Sequence, residues 1–135
     1  MPDALPTRGD PNRPCIFCHL PPERIIASSP RLLALRDGFP VSQGHTLIIP
    51  RRHVASFRDL TPEEWAEVHP LVQSLAAELK AADPSIAGFN LGINDGADAG
   101  QSVFHCHIHL IPRRHGDHPA PRGGVRAVIP GRQSY

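Results

Sequence analysis

Apolar residues are spaced in two ways along the chain. Residues 24–28 and 31–36 are short runs rich in Ile and Leu, separated by Ser29-Pro30, which predicts a hairpin. Residues 45–49 form a third run, stopped by Pro50. Over residues 88–94, Phe89, Leu91 and Ile93 alternate with Gly88, Asn90 and Gly92, the two-residue period of a half-buried strand. Residues 103–111 are a fifth run, expected to stop at Pro112.

Between the third and fourth runs the period becomes helical, over about residues 61–82. Thr61 as N-cap, Pro62 at the first helical position and Glu64 closing a capping box mark its start. Trp65, Val68, Leu71, Val72, Leu75 and Leu79 fall on one face, and Pro70 inside the pattern predicts a kink. The links between strands are too short for parallel crossovers. The order therefore predicts an α+β fold, a five-stranded antiparallel sheet with one main helix. Residues 123–130 read as a small extra strand, and residues 1–14, with four Pro among polar residues, as a flexible N-terminal arm.

Composition narrows the partners. The 135 residues allow one domain, and a net charge of +1 excludes a strongly basic nucleic-acid binder. The charge is polarised: residues 1–104 carry net −3, whereas residues 105–135 hold five Arg against Asp117 alone, net +4. The basic C-terminal tail, residues 115–135, is either a solvated segment or a lid facing an anion. Three cysteines, no basic-apolar leader and no run of 18 apolar residues predict a cytoplasmic domain with reduced thiols and no membrane span.

Three of the nine histidines sit within five residues, His105-Cys106-His107-Ile108-His109. On a strand they share one face about 6.5–7 Å apart, with Cys106, Ile108 and Leu110 on the other. Three imidazoles in register point to chemistry; Cys106 reads as a buried small residue. Cys15-Ile16-Phe17-Cys18 is a C-x2-C knuckle that needs two further ligands for tetrahedral zinc, with histidines as the candidates. With His19 it also spells the c-type haem attachment string, although Met1 is the only Met. A polar loop over residues 94–102 leads into the histidines. Its Gly96 and Gly100 permit positive φ, and its N–H groups, with Gln101 and Ser102, suit an anion.

Taken together, residues 44–53, Asn94 and residues 100–109 resemble the histidine triad (HIT) family, with the pattern His-φ-His-φ-His-φ-φ met by residues 105–111. The resemblance covers roughly residues 15–114 and implies two subunits paired into a homodimer with a continuous ten-stranded sheet. It implies hydrolysis or transfer of a nucleotide at the α-phosphate of a dinucleoside polyphosphate or nucleoside phosphoramidate, through a covalent nucleotidyl-histidine. Catalytic roles fall to His107 as nucleophile, His109 and His45 on the phosphate, and Ser102 near the leaving oxygen. Asp37, Asn94, Gly100 and Gln101 become nucleotide-binding positions, and Cys15, Cys18, His53 and His105 a structural zinc set. The chemistry so implied requires no metal. A phosphorylase using inorganic phosphate, or a nucleotide-binding adaptor without turnover, shares the same pattern.

Overall fold

Residues 15–135 are described in the computed structural model; the arm expected over residues 1–14 lies outside them. The two short apolar runs form the expected hairpin, β1 (Ile25–Ser28) and β2 (Leu32–Arg36). Next comes β3 (Thr46–Pro50), then helix α1 (Pro62–Ala82), β4 (Ile86–Ile93) and β5 (Ile108–Arg114). The sheet order is β1-β2-β3-β5-β4, every pairing antiparallel. Helix α1 carries the chain from β3 past one strand position, and β5 fills that gap. The last strand is thus hydrogen-bonded on both sides, to β3 through Thr46↔Leu110 and to β4 through Ile93↔Ile108.

Helix α1 starts as expected. The Thr61 hydroxyl accepts the Glu64 N–H at 3.0 Å and Glu64 Oε1 accepts the Thr61 N–H at 2.8 Å, closing the capping box. The helix runs unbroken through Pro70, which lies on the solvent side. Val68, Leu71, Leu75 and Leu79 are buried on Leu32, Ala34, Ile48 and Leu110 of the sheet. Each such side chain contributes on the order of 1.5–3 kcal/mol by burial. The opposite face of the sheet carries a smaller core of Phe17, Leu35, Leu47, Ile49 and Val103.

Four expectations change. Trp65, placed on the buried helix face, is 41% exposed and sets its ring edge-on to Phe57 at 6.5 Å; Glu64 is buried instead, held by Arg52 at 2.8 Å. Leu91 is half exposed on β4, the edge strand, whose outer flank pairs with no other strand among the described residues. Residues 123–130 hold a 3-10 helix (Gly124–Val128) and no strand, entered through Gly123 at φ +75°.

The fourth change concerns β5, which starts at Ile108 and continues through Pro112 to Arg114. Residues 103–107 leave the ladder because their polar groups bond elsewhere, the Cys106 N–H donating to Val54 O at 2.7 Å. Pro112 is tolerated because its non-ladder side faces the loop before β3. There the Ser42 hydroxyl donates to its carbonyl at 2.7 Å, and no N–H is required.

Candidate active site and metal centre

The shifted strand boundary divides the three clustered histidines. His109 lies inside β5, whereas His105 and His107 sit in the irregular segment leading into it. They therefore do not line one strand face: His105, fully buried, turns to the knuckle, and His107 turns to His109, with ring centroids 5.1 Å apart. Cys106, Ile108 and Leu110 are all buried, as expected, and burial pushes the Cys106 thiol up to about 11.

Backbone groups decide which ring nitrogens carry hydrogen. His105 donates its Nε2–H to Pro50 O at 2.8 Å, leaving Nδ1 a lone pair. His107 donates its Nδ1–H to His105 O at 2.8 Å, leaving Nε2 a lone pair. The Val41 N–H donates to His45 Nδ1 at 3.2 Å, so His45 carries its hydrogen on Nε2 and donates it to His109 Nδ1 at 2.9 Å. His109 in turn carries Nε2–H as an outward donor. Burial pushes His45 and His107 below the ordinary imidazole value, and burial followed by repulsion from His107 and His45 takes His109 to about 4. The rings are neutral at pH 7.

Cys15 and Cys18 meet His53 and His105, with one donor atom from each within 4.8 Å of the others. His105 Nδ1 is 3.5 Å from each sulfur, Cys18 Sγ is 3.2 Å from His53 Nδ1, and the two imidazole nitrogens are 3.2 Å apart. Tetrahedral zinc, with bonds of about 2.3 Å to sulfur and 2.0–2.1 Å to nitrogen, sets such edges at about 3.5 and 3.3 Å. The donor set fits zinc. Without a cation, burial and then the neighbouring Cys15 hold the Cys18 thiol at about 11. His19 of the haem-like string is exposed and outside the cluster.

A second group, Asp37, His45 and His109, has the residue types of a metal site. Its hydrogens argue otherwise: His45 Nδ1 accepts the Val41 N–H, so His45 Nε2 is protonated and directed at His109. Asp37 Oδ2 lies 3.4 Å from His45 Nε2, and Asp37 Oδ1 accepts the Phe39 N–H at 2.8 Å.

The glycine-rich loop is built from within. Gly96 and Gly100 take φ of +91° and +92°, and the Asn94 amide donates to Ala99 O at 2.6 Å. Gln101 is buried and turned inward, accepting from the Gly96 N–H and donating to Ala55 O and Val103 O. Ser102 is exposed, and its hydroxyl has no protein partner among the described residues. What residue type could not reveal is the backbone contribution: Val41 N–H, Pro50 O and His105 O. Phe17 was also missed, although its place between the two cysteines was a signal.

A central strand led in by alternating histidines, beside a cysteine–histidine cluster, defines a histidine-triad domain. The family model described as HIT domain matches residues 21–116. The chain belongs to that family. It is similar to an uncharacterized HIT-like protein of Mycoplasma genitalium, 39% identical over 104 residues, 73% of this chain and 72% of that protein. It is also similar to a zinc-bound histidine triad family protein of Mycobacterium smegmatis, with TM-score 0.68 and 37% identity over 76% of this chain and 77% of that one. A bis(5'-nucleosyl)-tetraphosphatase (asymmetrical) of Schizosaccharomyces pombe is 41% identical over 78 residues, 58% of this chain and 42% of that protein. No helix among the described residues is long and apolar enough to cross a membrane.

Two predictions follow from these geometries. The zinc-loaded protein should contain about one zinc per chain, and Cys18→Ser should lower both that content and the melting temperature; elemental analysis with calorimetry measures them. His109 is pushed to about 4 when folded, against about 6.5 unfolded, so the unfolded chain binds more protons between those values. Stability should fall as pH drops from about 6.5 toward 4, with a shallower slope in His109→Asn. Urea titrations of both proteins at several pH values compare the slopes.

Proposed function

We propose that the chain is a nucleotide hydrolase that cleaves at the α-phosphate of a dinucleoside polyphosphate or a nucleoside phosphoramidate, with His107 as nucleophile. The observation that carries this reading is the His107 Nδ1–H bond to His105 O. It fixes the tautomer whose Nε2 lone pair is free, and burial keeps the ring neutral at pH 7. His107 Nε2 attacks phosphorus, the P–O or P–N bond to the leaving group breaks, and its electron pair departs with that group. A nucleotidyl group remains on Nε2, and water then displaces it.

His109 offers its Nε2–H to a non-bridging oxygen, where a phosphoryl centre accumulates charge. That donor is oriented through His45 and the Val41 N–H, so it stands ready without reorganisation. The exposed Ser102 hydroxyl supplies a further donor beside the leaving oxygen, whereas the N–H groups of Gly96, Ala99, Gly100 and Gln101 are bonded within the loop. Asn94 and Gln101 shape that loop from within, and Asp37, beside His45, borders the nucleoside. Cys15, Cys18, His53 and His105 would hold zinc, which when bound staples the knuckle to the segment before β5. The tetraphosphatase name of the S. pombe relative is consistent with the dinucleoside substrate.

His107→Ala should lower turnover by about 10³-fold or more while nucleotide binding persists. Labelled substrate followed by a neutral quench should leave the nucleotidyl group on His107, read by mass spectrometry across diadenosine polyphosphates and adenosine phosphoramidates, with and without inorganic phosphate. Full activity in the variant would overturn the assignment. Binding without turnover by the wild type would make the protein an adaptor.

The reading extends to a homodimer. The outer flank of β4 is an unpaired sheet edge carrying half-exposed Leu91, and two such edges in contact would make a sheet of ten strands. Leu91→Glu should shift the sedimentation coefficient from dimer to monomer; an unchanged monomer in the wild type would refute the pairing.

A further inference from the structure

Phe17 stands between the two knuckle cysteines and is only 5% exposed. Its ring meets His105 edge-on, with centroids 5.9 Å apart and planes at 90°, and meets His107 at 5.3 Å and 70°. It is thus in contact with one imidazole of the metal cluster and with the imidazole assigned as nucleophile. We propose that Phe17 is a positioning residue for His107, and that occupancy of the knuckle is transmitted to the nucleophile through it. The inference rests on the reading of His107 above.

The chain geometry supports the link. Cys18 lies three residues after Cys15, and its N–H donates to Cys15 O at 3.2 Å, so the knuckle is one tight turn. When both sulfurs hold one ion, the Phe17 backbone between them has almost no freedom left. Its side chain is then committed to the small core with Leu35, Leu47, Ile49 and Val103. From there the ring edge closes one side of His107, while His105 O holds its Nδ1–H. His105 supplies that carbonyl and also a ring nitrogen of the cluster. Both constraints on His107 therefore originate at the knuckle. Edge-to-face aromatic contacts have a preferred geometry that an aliphatic side chain of similar size does not reproduce. A displacement of about 1 Å at a reacting group can cost about 10²-fold in rate.

The test compares the zinc-loaded full chain with Phe17→Leu and with Ile49→Val, which trims the same core from strand β3. Phe17→Leu should retain zinc and nucleotide affinity, show a moved or broadened His107 Nδ1–H signal in nitrogen-resolved histidine NMR, and lose about 10- to 100-fold in kcat with KM unchanged. Ile49→Val should lose stability without either change. Removing zinc from the wild type with a chelator should reproduce the NMR change, and in Phe17→Leu should produce a smaller one, the part carried through His105. Unchanged His107 signals in Phe17→Leu, equal effects in Ile49→Val, or a rise in KM with kcat intact would overturn the proposal. If the wild type turned over no nucleotide, the hydrolase reading would fall while the NMR comparison still decided the positioning role. If Phe17→Leu failed to fold, the chelated wild type would decide it: an unmoved His107 signal refutes the link.

Discussion

The location of four hydrogen atoms on four imidazole rings is the constraint on which the site depends. Each is set by a main-chain group or by a ring that a main-chain group has already fixed. Pro50 O takes the His105 Nε2–H, His105 O takes the His107 Nδ1–H, and the Val41 N–H occupies His45 Nδ1 and so directs His45 Nε2–H to His109. Imidazole is chemically ambiguous, with two nitrogens of similar basicity, and buried side chains alone would leave its tautomer open. The end of an inner strand and two loops remove the ambiguity here. One ring turns a lone pair toward the knuckle, one keeps its Nε2 lone pair open, and one is an outward hydrogen-bond donor.

The sheet separates two tasks. The helix side holds the larger apolar core, where Leu75 and Leu110 are almost fully buried. The other side combines a small core with the imidazoles, so stabilising contacts and reactive groups share the same residues. β5 bridges the two sides. It is clamped by β3 and β4 over Ile108–Leu110, so the segment before it is anchored at one end by the ladder and at the other by Cys106 N–H and the His105 ring. An irregular stretch can hold two imidazoles in fixed orientations because both of its ends are immobile.

Much of this was legible from residue types and spacing. The capping box at Thr61, the hairpin around Ser29-Pro30 and the Cys15–Cys18 knuckle follow from local patterns whose causes are local, whereas the choice of His53 and His105 as the knuckle's partners came from the family resemblance. The missed features have non-local causes. The start of β5 depends on Val54 and Pro50, far away in sequence, withdrawing residues 103–107 from the ladder. Glu64 replaces Trp65 in the interior because Arg52 reaches it across a loop. Gln101 looks like a ligand contact by type, yet its amide is consumed by Gly96, Ala55 and Val103. The donors that choose tautomers are backbone atoms, to which a sequence is blind.

His105 has two simultaneous employments, its ring in the knuckle cluster and its carbonyl under His107. Substitutions in the knuckle and in the triad therefore do not act independently, and their combined effects should depart from the sum of the separate ones. For the history of such a chain this is a ratchet. A lineage that abandons the two cysteines must refit position 105 and its surroundings in the same step, or pass through forms in which the imidazole at position 107 has lost its support.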